Sequence, residues 1–248
     1  MQKRAPSLFL RVALVLVLAT PAAGAGAAPR VKVMVVGRSG LLLAPRTVVA
    51  RQVVVRASGK RCAAAAATPL AALAGARRAG GPSFTVRDYG GSCSRRPVDS
   101  ASLFVVRVGG DRNRGRDGWA YKVGTRSGSA GAADPAGPFG RGRLRSGSSV
   151  TWFWCRLGRR GSCQRTLSVS SRRSVRRGGT LRVHVRAYDD AGHAIAARGA
   201  RVAFGSARAR TNARGIAVVR APRRPGSARL TATRPGMVRA FDHRIRVA

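Results

Sequence analysis

The 248-residue chain contains no glutamate. Its whole acidic complement is eight aspartates: Asp88, Asp99, Asp111, Asp117, Asp134, Asp189, Asp190 and Asp242. A glycosidase works with facing carboxylates, and a two-metal site needs a carboxylate cluster. Eight scattered aspartates disfavour both. Histidine is scarce too. His184, His193 and His243 all lie late in the chain, and no Gly-x-Ser-x-Gly elbow accompanies them, so no hydrolase triad is expected. Phosphate loops are missing. Gly59-Lys60 lacks the upstream Gly and the following Ser or Thr, and Gly140-Arg141-Gly142 has no third Gly at the right spacing. The chain therefore reads as non-enzymatic, with no catalytic residue, cofactor or resident metal.

Long apolar runs are absent outside the N-terminus. There, Lys3, Arg4 and Arg11 precede the apolar Val12–Ala19, and Ala23-Gly24-Ala25 and Ala25-Gly26-Ala27 fit small-x-small cleavage sites. Residues 1–27 are expected to be a secretory signal peptide cleaved after Ala27. The apolar run falls short of the ~20 residues that span a bilayer. No Cys follows it, so no lipid anchor is expected, and no transmembrane anchor remains after cleavage. The product is expected to be secreted, extracellular or held at the envelope.

Cysteine is limited to Cys62, Cys93, Cys155 and Cys163. An even count in an exported chain points to disulfides. Three pairings are open. Cys62–Cys93 and Cys155–Cys163 are favoured because near neighbours close first, contributing roughly 3–4 and 2–3 kcal/mol by chain entropy. No C-x(2–4)-C pair is present to suggest zinc.

What remains organises into two mainly β units. In the first, residues 28–167, strands are expected at Val31–Val36, Val48–Arg56, Phe84–Tyr89, Leu103–Val108, Gly118–Val123 and Val150–Arg156. One short helix opens at Thr68-Pro69, a cap followed by Pro at the first helical position, and ends at Gly80-Gly81. In the second, residues 168–248, Thr180–Ala187 alternates Leu181, Val183 and Val185 against Arg182, His184 and Arg186. Turns at Asp189–Gly192, Asn212–Gly215 and Pro225-Gly226 separate further short strands, as in a β-sandwich.

Within the first unit, Gly118-Trp119-Ala120-Tyr121-Lys122-Val123-Gly124, then Leu144-Arg145-Ser146-Gly147, then Val150-Thr151-Trp152-Phe153-Trp154-Cys155 follow one another. This order resembles the small β-domain that ends the vitamin B12 carriers transcobalamin and intrinsic factor, a domain also found in bacterial surface proteins of unknown function. The resemblance implies a small mixed sheet domain with one helix, and a small ligand such as a corrinoid. The added cysteines and the long Gly128–Gly142 loop depart from that pattern, and the helical domain of the carriers is absent. The second unit, with Asp-x-x-Gly, Gly-Ala-x-Val, Asn-x-x-Gly and Leu-Thr-Ala-Thr in order, resembles bacterial Ig-like and carboxypeptidase-regulatory-like domains. That resemblance implies a spacer or adhesion module.

Three groups of residues are candidates for binding. Asp111, Asn113 and Asp117 share a loop with Gly115, as calcium ligands would, but Arg112, Arg114 and Arg116 lie between them and favour a polar hairpin. Trp119 and Tyr121 share one strand face and Trp152 and Trp154 another. Exposed, they would form a ligand platform; buried, they would be core. On the Trp-Phe-Trp strand, either Phe153 or both Trp must point outward. The third group is the largest. Of 48 basic residues only Lys3, Lys32, Lys60 and Lys122 are lysine, and the net charge is +40. Arginine takes the polar phase of successive strands: Arg107, Arg182 and Arg186, Arg244 and Arg246. Anionic surface polymers, extracellular DNA or envelope proteins are the expected partners. GC-rich coding explains Arg over Lys but not the missing Glu. No helix carries a base-reading face, so sequence-specific nucleic-acid binding is not expected. The chain thus reads as a secreted, non-catalytic binding or adhesion protein of the cell surface.

Overall fold

The computed structural model describes residues 27–248. The expected signal peptide lies outside the described residues except for Ala27. The first unit runs β1 (Arg30–Val36), β2 (Leu41–Val49), β3 (Val53–Ala57), β4 (Lys60–Ala64), α1 (Pro69–Arg78), β5 (Phe84–Asp88), a 3-10 turn (Pro97–Ser100), β6 (Leu103–Val108), β7 (Asp111–Arg112), β8 (Gly118–Val123), β9 (Arg126–Ser127) and β10 (Ser149–Cys155). The second runs β11 (Thr166–Ser171), β12 (Ser174–Val175), β13 (Thr180–Tyr188), β14 (Ala194–Ala196), β15 (Arg201–Phe204), β16 (Ala207–Arg210), β17 (Ile216–Arg220), β18 (Gly226–Thr233) and β19 (His243–Val247). The chain is mainly β with one α-helix among the described residues.

Two five-stranded sheets build the first unit. Sheet I has the order β2-β1-β10-β8-β9, with β1 and β10 parallel, and sheet II the order β4-β3-β5-β6-β7. The single strand expected over Val48–Arg56 is two. The chain leaves β2 at Val49, passes the buried Ala50, and re-enters as β3 in the other sheet. Helix α1 shares one core with both sheets. Its start follows the expectation: Thr68 Oγ1 accepts from Ala71 N at 3.2 Å, and Pro69 fills the first position. Its alanines and Gly75 let it lie against sheet I, since a Cβ at Gly75 would meet Val49 O at 2.8 Å.

The favoured disulfides are both present, Cys62–Cys93 and Cys155–Cys163. The first anchors the segment after β5. There the Asp88 carboxylate accepts from Ser102 Oγ at 2.5 Å and Cys93 N at 2.9 Å. The Ser102 bond holds the Asp88 carboxyl below its ordinary value of 3.8 against burial, helped by Cys93 N–H and the Lys60 charge. A carboxyl lowered on folding contributes stability above its unfolded pKa, and that contribution is lost as pH falls through the folded value. Urea midpoints at about pH 5.5 and about pH 3 are expected to show that loss. In Ser102→Ala the fall between the two should be smaller; an unchanged fall would exclude the Ser102–Asp88 bond as its source.

The second unit packs two sheets around one core of alternating strand residues, including Leu181, Val183, Val185, Val202, Phe204, Leu230 and Ile245. Sheet III has β13 flanked by β11 on one edge and by β17 and β14 on the other. Sheet IV has the order β12-β19-β18-β15-β16. Strand β11 starts at Thr166, just ahead of the boundary expected at 167/168. The last strand pairs over His243–Val247, and ahead of it Val238 makes an isolated parallel bridge to Thr166.

The two units meet on sheet I. Phe153 and Cys155 cluster with Val238, and Val36, Ala120 and Leu157 pack against them. Lys122 points to the same side and is fully buried. Its ammonium donates to Asp189 O at 2.7 Å, Tyr188 O at 3.1 Å and Thr166 Oγ1 at 3.4 Å, and lies 3.5 Å from Asp190 Oδ1. Asp190 also accepts from Ser127 Oγ and Cys163 N, both at 2.8 Å.

Candidate anion-binding faces

The aromatic strands do not offer an open platform. Register places Trp152 opposite Tyr121 and Trp154 opposite Trp119, so all four rings share one face of sheet I, not two. That face is turned into the core. Trp152, Trp154 and Tyr121 are 1%, 3% and 8% exposed, and Trp119 is half-buried against the same core. Their polar atoms are engaged as well. Trp152 Nε1 donates to Pro69 O, Trp119 Nε1 to Asp111 O, and the Tyr121 hydroxyl to Ala130 O and Pro138 O of the long loop. Burial pushes the Tyr121 phenol well above its ordinary pKa. The expectation that Phe153 or the Trp pair points to solvent is also corrected. Phe153 is fully buried because the second unit covers the other face.

The calcium candidates do not converge. Asp111 Oδ2 accepts from Arg38 N, Asn113 Oδ1 from Trp119 N, and Asp117 Oδ1 from Leu157 N. Arg114 and Asp117 form a hairpin bridge instead. Among the described residues no three His, Cys, Asp or Glu gather as a metal site. No helix among them is long and apolar enough to cross a membrane.

Arginine is concentrated by the sandwich. On sheet IV the inward phase is Val202, Phe204, Leu230, Ala232, Ile245 and Val247, all buried. The outward phase carries Arg201, Arg208, Arg210, Arg229, Arg244 and Arg246, all exposed. Register sets Arg201 directly opposite Arg210 and Arg229 directly opposite Arg244. Opposed residues hold their Cβ atoms about 4.5–5.5 Å apart, and like charges so placed repel. Asp242 is the carboxylate that reaches this face, 3.7 Å from Arg229 Nη1 and 2.7 Å from Arg239 Nη2.

The opposite face of the sandwich is grooved. A groove of 1150 Å³ runs over sheet III between β13 and the crossing segment that carries Arg172 and Arg176. Arg182 and His184 stand on its floor, and Ser170, Ser174 and Thr180 add hydroxyls. No Asp side chain lines it. Guanidinium forks and hydroxyls donate together to phosphate or carboxylate oxygens.

The expected outward arginines thus separate by sheet. Arg244 and Arg246 join four others on sheet IV, Arg182 and Arg186 lie on sheet III, and Arg107 is exposed on sheet II. Strand β16 with Arg208 and Arg210 was not legible as a strand, although its Arg-Ala-Arg alternation is the signal for one. No protein-family model matches the chain, and no curated protein or solved structure matches it either.

Proposed function

We propose that this chain is an exported, non-catalytic binding module that attaches to anionic polymers at a cell surface through the arginine faces of its second unit. The carrying observation is the six-arginine face of sheet IV, where among the described residues Asp242 is the carboxylate that pairs with one of the six, Arg229. Opposed arginines are stabilised when an anion lies between them, so ligand binding relieves repulsion built into the fold. Two disulfides suit an oxidising, extracytoplasmic compartment. The resemblance of the second unit to Ig-like adhesion domains points the same way.

The test is retention on isolated envelopes and on inorganic polyphosphate across a salt series. Log affinity is expected to fall linearly with log salt, by about 0.7–0.9 per phosphate neutralised. A variant with Arg201, Arg208, Arg229 and Arg244 changed to Ser should lose affinity and show a shallower slope. Retention that survives high salt would sink the reading, because a neutral pocket or protein contact would then carry the binding.

A further inference from the structure

The rings that are open to solvent lie on a different sheet from the tryptophans. On the outer face of sheet II, Tyr89 follows β5 and is 63% exposed, and Phe104 on β6 is 49% exposed. Their centroids are 5.5 Å apart with planes inclined at 72°. The Arg87 guanidinium carbon sits 5.5 Å from the Tyr89 centroid. Register places Arg87 opposite Phe104 and Arg107 opposite Arg112 on this same face, and Arg56 of β3 is exposed there too. A groove of 540 Å³ runs beside the Tyr89 ring past Arg87, Val106 and Arg112. The neighbouring carboxylates are turned to other work: Asp88 to Ser102 and Cys93, Asp111 to Arg38 N.

We infer that this outer face of sheet II binds single-stranded nucleic acid, with bases stacked on Tyr89 and Phe104 and phosphates held by Arg87, Arg107 and Arg112. The inference rests on the proposed polyanion binding and names the partner for a site in the first unit. Cationic grooves interleaved with aromatic rings are how proteins hold unpaired strands. Two ring planes at a steep angle offer separate stacking faces to successive bases, and guanidinium planes stack as well. An acidic polysaccharide would meet the arginines and lay C–H faces, not π faces, on the rings, which makes it the competing ligand in the test. Binding is sequence-tolerant. Asn113, which lines the groove, is fixed in place by donating to Val105 O and accepting from Trp119 N.

Fluorescence anisotropy with a labelled oligothymidylate of about 12 nucleotides tests this on the full chain, with polyphosphate as the probe of charge alone. Tyr89→Ala/Phe104→Ala is expected to bind the oligonucleotide about tenfold to a hundredfold more weakly, with polyphosphate binding unchanged. Tyr89→Phe keeps the ring and should keep the affinity. Both rings are exposed, so the thermal midpoint should stay that of the wild type. Unchanged oligonucleotide binding in the double variant overturns the inference. So does an equal, ring-dependent loss of polygalacturonate binding, which would assign the face to sugars. If the wild-type chain binds neither probe, the polyanion reading itself fails. If it binds polyphosphate but the rings add nothing for the oligonucleotide, only this site fails.

Discussion

Lys122→Met is expected to lower the unfolding free energy by about 2–4 kcal/mol and to uncouple the two units. Methionine keeps the length of the side chain but donates no hydrogen bond. The carbonyls of Tyr188 and Asp189 would then be left without their donor at a closed junction. Burial lowers the Lys122 pKa, while Asp190 opposes that shift, so the ammonium is held by the oxygens around it and not by solvent. The wild type should unfold in one cooperative transition. In Lys122→Met the transition should broaden or split as the sandwich and the first unit come apart. Asp190→Asn keeps an acceptor for only one of Ser127 Oγ and Cys163 N–H, which Asp190 serves with separate oxygens, but it leaves the Tyr188 and Asp189 carbonyls their donor and should cost less. If Lys122→Met unfolds like the wild type, the junction is held by the Phe153–Val238 contact and the Asp190 bonds to Ser127 and Cys163, without need of the ammonium.

Trp152→Ala is expected to cost about 3–5 kcal/mol in urea unfolding. Trp152 is the largest fully buried side chain, and its removal opens a cavity between sheet I and α1. It also leaves Pro69 O, at the first turn of α1, without the indole donor 3.2 Å away. The neighbouring Tyr121 ring, 5.4 Å off, would lose its tilted partner. Trp119→Ala should cost clearly less, because that ring is half-buried at the edge of the same cluster. Equal losses at the two positions would mean that the four rings behave as one packed layer. A near-neutral Trp152→Ala would contradict its placement in the core.

Much of this architecture was legible because period-two patterning survives any change of partner. Thr180–Tyr188 shows it plainly: its apolar phase is buried and its Arg and His phase exposed, as the residues alone require. Helix α1 was equally readable, since Thr68 and Pro69 act within one turn. Patterning failed where both faces of a strand are covered. Val150–Cys155 is buried at every position, so alternation gives no clue to which ring faces what. Lys122 failed for the same reason. Its phase marks it as outward, and it is outward from its own sheet, but the second unit closes over it. Tyr89 and Phe104 were missed because nothing local to either residue announces the other. Thr85, Arg87 and Tyr89 alternate with Phe84, Val86 and Asp88, which does mark Tyr89 as outward.

The sequence by itself determined the acidic poverty of the surface, the β-rich class, the helix cap, and the outward phase of arginine on the strands it identified. These follow from composition and from residues within a few positions of one another. Tertiary structure decided which arginines stand together, because Arg201, Arg210, Arg229 and Arg244 are brought opposite by antiparallel register across separate turns. It decided that the tryptophans are core, because α1 closes one face of sheet I and the sandwich the other. It also decided where open rings meet arginine, on sheet II. Sheet pairing joins residues far apart in the chain, and no local propensity encodes which edge a strand will meet.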